Sequence, residues 1–309
     1  MAEREKLLSI KDLHVHFKNG KRVVKAVNGV SFDVYKGETF GLVGESGSGK
    51  TTVIRTIIGI NEKTGGEIIY KGKTQLGVHM KDKEKRALCK EIQMIYQDPA
   101  ASLNERANVD YIVSEGLYNY KLFKTEDERR QKVLDALQSV GLLAEHVTRY
   151  PHEFSGGQRQ RIGIARSLVI EPELILADEP ISALDVSIRA QVLNLMKKIQ
   201  RERDLTYLFI AHDLSIIKYI SDRVGVMHQG FLVELANADE IYAKPVHPYT
   251  QSLLSAIPQP SPKLERNRDR EHYIVDPVGY DQGDFIEVSP GHFVLGTPEQ
   301  VAEWKKTAL

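Results

Sequence analysis

Two rhythms of apolar residues run along this chain. Leu13-His14-Val15-His16-Phe17 and Val30-Ser31-Phe32-Asp33-Val34 alternate apolar and polar positions, which predicts strands within Ile10 to Val34 around an Asn19-Gly20 turn. Phe40-Gly41-Leu42-Val43 is a short apolar run, read as a buried strand, and Thr52 to Ile58 carries apolar residues at helical spacing. Gly65 to Lys73 reads as another strand and turn, and the charged Lys81 to Lys90 as a helix with a solvated face. Ile92 to Tyr96 is a buried strand that stops at Gln97-Asp98-Pro99.

Helices are expected from Ala107 to Ala144. Thr125-Glu126-Asp127-Glu128 has the form of a capping box, with Thr125 taking a backbone N–H and Glu128 reaching back to the cap. Val133, Leu134, Leu137 and Val140 follow at helical spacing. A further helix opens after Phe154-Ser155 and runs through Leu168, capped by Ser155. Leu174 to Ala177 is apolar and ends in Asp178-Glu179-Pro180; strand alternation points Glu179 the other way from Asp178, so the two carboxylates can hold different roles. After the turn Ser182-Ala183-Leu184-Asp185, the helix Ser187 to Arg203 sets Ile188, Val192, Leu195 and Ile199 on one face. Thr206 to Ala211 is the next buried strand and ends at His212-Asp213, and Gln229-Gly230 joins a hairpin of Val224–Met227 and Phe231–Glu234. From Lys244 prolines are frequent, Lys263 to His272 reads as a charged linker, and Phe285–Val288 and His292–Leu295 are strand pieces of a small extension. No internal repeat is visible.

Composition narrows the class. The 309 residues hold 42 basic and 42 acidic side chains, so no global positive field argues for nucleic acid. Hydrophobic residues make up 41% and mean hydropathy is −0.32, as expected of a globular chain with a real core. No run of about 18 apolar residues is present to span a bilayer, and Met1 to Lys6 lacks the apolar core of a secretory signal. Cys89, the single cysteine, rules out an internal disulfide and suits a reducing cytoplasm.

The chemistry concentrates where apolar runs end. Gly44-Glu45-Ser46-Gly47-Ser48-Gly49-Lys50-Thr51 fits the phosphate-binding loop, between a strand and a helix as that motif requires. Its glycines let backbone N–H groups turn toward a phosphate, and the helix N-terminus adds positive charge. Lys50 is expected to reach the β- and γ-phosphates and Thr51 to ligate Mg²⁺. Ser155-Gly156-Gly157-Gln158 makes a second anion-binding helix start, with side chains stripped from its first turn. Asp178, at a strand end, is the expected partner of Mg²⁺ or its water shell. Phe17 is either an adenine-stacking ring or an ordinary sheet-surface aromatic. Gln97 and His212, at strand exits, are placed to meet a ligand or a moving neighbour.

Over about residues 7–240 the chain resembles the ATP-binding-cassette ATPases, because their motifs fall in order. Gly44 to Thr51 matches Walker A, Gln97 the Q-loop glutamine, and Phe154-Ser155-Gly156-Gly157-Gln158 the signature, usually Leu-Ser-Gly-Gly-Gln. Asp178 ends Walker B and is followed by Glu179, the catalytic glutamate; Ser182 to Asp185 matches the D-loop and His212 the switch histidine. Phe17 falls at the family's adenine-stacking position. Lys244 to Pro258, with His247-Pro248-Tyr249, resembles the C-terminal segment of oligopeptide and dipeptide importer ATPases. The resemblance implies an α/β P-loop NTPase core with an antiparallel β subdomain, a helical signature subdomain at about 98–165, and an importer-type extension at 241–309.

It also implies ATP and Mg²⁺ as ligands. Phe17, Gly44 to Thr52, Gln97, Ser155 to Gln158, Asp178 and Asp185 would contact nucleotide, and Thr51, Gln97 and Asp178 the metal. Glu179 would act as base, with His212 and Lys50 on the γ-phosphate. Two such subunits would close head to tail, so that Ser155, Gly156 and Gly157 serve the partner's nucleotide. Expected partners are a paralogous ATPase, two transmembrane permease subunits and, indirectly, an extracytoplasmic peptide-binding protein, at the cytoplasmic face of a bacterial membrane and without nucleic acid. Some relatives hold an iron–sulfur centre in the C-terminal region; residues 245–309 contain no cysteine, so none is expected. The same machine could carry dipeptides, nickel chelates or murein peptides. A DNA-acting cassette would insert a long coiled coil between Lys50 and Ser155, where no sustained heptads occur, and a ribosome-binding one normally has two cassettes.

Overall fold

The computed structural model describes residues 4–76, 80–257, 273 and 279–307. The chain divides into two compact units, one of Met1–Val78 with Phe209–Leu309 and one of His79–Leu208. The expected charged linker Lys263 to His272 lies outside the described residues.

The first unit contains two sheets. β1 (Lys6–Asn19) and β2 (Arg22–Tyr35) form a long antiparallel hairpin, and β4 (Gly65–Tyr70) and β5 (Thr74–Gln75) extend it in the order β2-β1-β4-β5. Leu8, Ile10, Leu13, Val15, Val27, Val30 and Val34 are buried, as the alternation predicts for a sheet with one covered face. The second sheet runs β11 (Asp284–Ser289), β12 (His292–Gly296), β10 (Phe231–Asn237), β9 (Arg223–His228), β3 (Thr39–Val43) and, from residue 209 on, β8 (Thr206–Ala211). β3 is buried at every position and pairs parallel with β9, Val43 opposite Val226. β9 and β10 turn at Gln229 and Gly230, both at positive φ (48° and 89°), the backbone a tight two-residue hairpin demands.

The C-terminal strand pieces join this sheet. β12 pairs antiparallel with β10, and Val246, Val294 and Val301 form a small core with Ile286, Val288 and Trp304 beneath α11 (Pro298–Thr307). A buried carboxylate fastens it: Glu234 on β10 accepts from the N–H groups of Val246 (2.7 Å) and His247 (3.1 Å) and meets His292 Nε2 at 2.7 Å. His292 Nδ1 lies 3.2 Å from Glu240. Burial works against a charge on His292, but the bonds to Glu234 and Glu240 prevail and hold its pKa above the ordinary value.

The second unit pairs β6 (Ile92–Ile95) parallel with β7 (Leu174–Asp178) and surrounds them with helices. α2 (Asp82–Glu91) leads into β6. α4 (Val109–Tyr120), α5 (Glu126–Ser139) and α6 (Gly156–Leu168) pack together through Ile112, Val113, Leu117, Val133, Leu137, Ile162 and Ala165. Arg129 ties α5 to α4 through Asp110 (2.9 Å) and also binds Glu126, one turn back on its own helix (2.7 Å). The Thr125 hydroxyl caps α5, accepting from Glu128 N–H at 3.2 Å. Glu128, however, reaches one residue further back than a capping box requires and accepts from Lys124 N–H at 2.8 Å. α7 (Val186–Arg203) buries Val192, Leu193, Met196 and Ile199. Ile188 and Leu195, expected on that stripe, are half-buried, because the buried face drifts to the Leu193 side over five turns.

Candidate functional site

β3 delivers the chain to the phosphate loop, and α1 (Lys50–Ile57) carries it away. Gly44 has φ 152°, and a Cβ there would lie 2.0 Å from the Met227 carbonyl oxygen, so no side chain fits. Gly47 and Gly49 also hold positive φ, 81° and 106°, and Gly49 is the N-cap of α1. Gly49 makes no side-chain cap and the first turn holds no acidic residue, so no side-chain charge offsets the positive end of the helix. Lys50 is buried, and its ammonium donates to the carbonyls of Gly44 and Glu45, both at 2.8 Å, and to Ser48 Oγ at 3.2 Å. A cation is thus already held at the loop's mouth. Ser46 is exposed and Thr51 and Thr52 are half-buried. In the same unit, Phe17 is exposed on β1 opposite Val24 of β2, an open apolar patch, and His212 is exposed just past β8.

The second unit gathers another set. Asp178 is buried at the end of β7. Glu179 lies beyond the strand in a left-handed backbone, φ 47°. Strand alternation therefore does not separate the two carboxylates, contrary to the sequence-based expectation; a backbone reversal does. A non-glycine residue there costs of order 1–3 kcal/mol, a strain that clusters at functional sites. Ser182 fixes the reversal: its N–H and Oγ donate to the Glu179 carbonyl at 3.2 and 3.0 Å. Gln97, just past β6, donates from Nε2 to Glu179 Oε2 at 3.0 Å. Residues 82 positions apart are thereby joined because β6 and β7 are neighbours.

Ser155 caps α6 in a reciprocal box with Gln158: Gln158 N–H donates to Ser155 Oγ (3.4 Å) and Ser155 N–H to Gln158 Oε1 (3.1 Å). The two glycines differ. A Cβ on Gly157 would sit 2.3 Å from Ile188 Cγ2, so that glycine lets α6 approach α7. A Cβ on Gly156 would meet only Leu184 Cδ2, at 3.8 Å, leaving packing no reason for glycine there. Asp185 is exposed at the start of α7 and makes no side-chain cap. Phe154 is buried against His146, edge to face at 5.3 Å, so its departure from the usual leucine is absorbed by the helical core.

Sequence reasoning missed three participants. Met227 closes over Gly44 through its backbone, which no side-chain pattern reveals. Glu234 reads as a polar position in a hairpin strand. Tyr249 belongs to the His-Pro-Tyr segment by sequence, yet its hydroxyl accepts from Glu45 N–H at 3.2 Å, inside the phosphate loop.

Residues 27–182 match the family model of the ABC transporter, and 233–278 match that of the oligopeptide/dipeptide transporter C-terminal region. The chain belongs to the ABC transporter family. It is an ABC ATPase, as its ordered motifs anticipated. This ABC ATPase is 57% identical over 304 residues to the oligopeptide transport ATP-binding protein OppF of Streptococcus pyogenes, covering 98% of this chain and 99% of the relative. It is 59% identical to OppF of Bacillus subtilis (95% and 97% covered) and 54% identical to the dipeptide transport ATP-binding protein DppF of Lactococcus lactis (100% and 99%). Among solved structures, cbiO1 from Clostridium perfringens, part of the ABC transporter complex cbiONQ, superposes with TM-score 0.69 at 29% identity over 77% of this chain and 91% of that one. The dimeric ATP-binding cassette MJ0796, bound to ADP and Pi, gives 0.68 at 26% identity over 75% and 99%. Among the described residues of this ABC ATPase, no helix is long and apolar enough to cross a membrane.

Proposed function

We propose that this ABC ATPase hydrolyses ATP to drive import of oligopeptides across the bacterial cytoplasmic membrane, bound to its cytoplasmic face through two permease subunits. One observation carries the reading: likeness to OppF runs through nearly the whole of both chains, including the His-Pro-Tyr extension as well as the nucleotide motifs. We take 7–240 as the nucleotide-binding domain, with its helical part at about 98–165, and 241–309 as the importer-type extension.

Lys50 and the N–H groups of Gly47 to Thr52 would bind the β- and γ-phosphates, and Phe17 would stack on adenine. The buried lysine, the uncapped helix start and the loop glycines fit a polyphosphate. Thr51 and Asp178, with Gln97, offer the hard oxygen donors that suit Mg²⁺, which when bound would neutralise charge on the transferring phosphoryl group. Glu179 would orient and deprotonate the attacking water, Gln97 would hold the carboxylate, and His212 would contact the γ-phosphate. Ser155, Gly156, Gly157, Gln158 and Asp185 would act on the nucleotide of a paralogous partner ATPase in a head-to-tail dimer. That role in trans parallels an arginine finger, worth about 10³–10⁵ in rate elsewhere. An extracytoplasmic binding protein would supply the peptide.

Deleting the gene and supplying it with Lys50→Ala would test the reading: uptake of labelled oligopeptides should be lost and not restored. Uptake that persists would overturn it. The likeness to DppF favours dipeptides as a second reading, and competition between labelled dipeptides and longer peptides separates the two.

A further inference from the structure

Glu45 is held from two directions. Its carbonyl accepts from Lys50 Nζ at 2.8 Å, and its N–H donates to Tyr249 Oη at 3.2 Å. Tyr249 lies on α10 (Pro248–Ser255), 204 residues further along the chain, and is buried. The start of α10 is fixed in turn. His247 accepts from Tyr249 N–H through Nδ1 at 3.0 Å, and its own N–H is taken by the buried Glu234.

The ring of Tyr249 is braced as well. His228, at the end of β9, lies against it with centroids 4.0 Å apart. His228 Nδ1 is 2.7 Å from Tyr280 Oη, and Tyr280 donates its hydroxyl proton to Tyr273 at 2.9 Å. Burial lowers the pKa of His228, which keeps the ring neutral. Burial likewise pushes the Tyr249 hydroxyl up to about 12, so it remains protonated, with lone pairs free to accept the loop amide.

We propose that Tyr249 is a positioning residue for the phosphate loop: its hydroxyl fixes the first peptide of the loop, and the His228–Tyr280 pair fixes the tyrosine. The C-terminal segment thereby contributes to nucleotide affinity without touching nucleotide. The reasoning is one of preorganisation. Gly44, Gly47 and Gly49 give the loop great freedom, and ordering it on binding costs entropy. Lys50 also tethers Glu45, but a lysine drawn to phosphate releases that carbonyl. The bond from Tyr249 does not compete with the ligand and holds through binding.

The inference rests on reading Gly44 to Thr52 as the nucleotide loop, and one titration separates the two. The full-length chain is titrated with a fluorescent ATP analogue as wild type, Lys50→Ala, Tyr249→Phe and Tyr280→Phe. Amide hydrogen exchange and thermal unfolding are followed on the same proteins. Binding by wild type and its weakening about 10- to 100-fold in Lys50→Ala uphold the loop. Tyr249→Phe keeps the ring on His228 and removes only the hydroxyl. It should weaken binding about three- to tenfold, the worth of one hydrogen bond, and raise exchange only in the peptide covering 40–49. Tyr280→Phe should move both readouts the same way by less. Wild-type affinity in Tyr249→Phe would overturn the proposal, and so would faster exchange spread through the unit with a lowered unfolding midpoint. Failure of the wild type to bind would remove the loop reading and this inference together.

Discussion

Gln97 and Glu179 share a hydrogen bond of 3.0 Å, although one follows β6 and the other follows β7. The amide holds one carboxylate oxygen, and the left-handed backbone sets the direction in which the side chain leaves the strand end; in the proposed reaction this carboxylate takes the proton of the attacking water. Glu179→Gln should therefore bind ATP normally but slow phosphate release at least about 100-fold, the usual contribution of a general base. Gln97→Ala should slow it less, since it loosens the carboxylate without removing it. Normal turnover in Glu179→Gln would take the residue out of the base role.

Lys50 exchanges partners in the proposed reaction: loop carbonyls without nucleotide, phosphates with it. Lys50→Ala should raise the Kd for ATP about 10- to 100-fold, the range of a charge-assisted bond lost at a desolvated site. Isothermal titration gives the number directly, and an unchanged Kd would refute the assignment.

The glycines of α6 should part company on mutation. Gly157→Ala drives a methyl into Ile188, whose β-branch restricts its escape, and should destabilise the fold by about 1–3 kcal/mol. Adding Ile188→Ala should recover part of that in a denaturant series. Gly156→Ala meets only Leu184 Cδ2, at an ordinary contact distance of 3.8 Å, and should leave stability unchanged or slightly raised. If Gly156 serves a partner's nucleotide, this variant should nevertheless lower turnover in the assembled transporter. Full turnover there would leave the glycine unexplained.

His292 makes stability depend on pH. Its pKa is raised in the fold, so its charged contribution is complete below the ordinary value of 6.5 and is lost as pH rises through the higher folded value. Glu240 has a lowered pKa: burial opposes this, but bonds to Ser289 and His292 outweigh it. Its contribution is present above the ordinary 4.5 and is lost as pH falls through the lower folded value. Near pH 5.5 to 6, His292→Ala should cost about 3–5 kcal/mol, the cost of leaving buried Glu234 without its partner. The gap to wild type should narrow as pH rises. Chemical denaturation between pH 5 and 9 measures it, and a gap independent of pH would contradict the ion pair.

Most elements were legible in the chain itself, because each announces itself locally. β3 is continuously apolar, β1 and β2 alternate, and the glycines of the phosphate loop sit where positive φ is needed. The helix starts at Ser155 and Thr125 are set by short-range hydrogen bonds. The capping of α5 was foreseen only to within one residue, since whether Glu128 meets Thr125 or Lys124 depends on how the chain enters the helix.

What the sequence determined by itself was membership of the ABC family and where its motifs fall, because the parts of each motif are neighbours along the backbone. Tertiary structure alone decided which distant residues brace them. Tyr249 meets Glu45, Glu234 meets His292, Ile188 forces glycine at 157, and Gln97 meets Glu179. These partners lie tens to hundreds of positions apart. Their pairing follows from strand order and helix packing, which bring backbones together at distances no local pattern encodes.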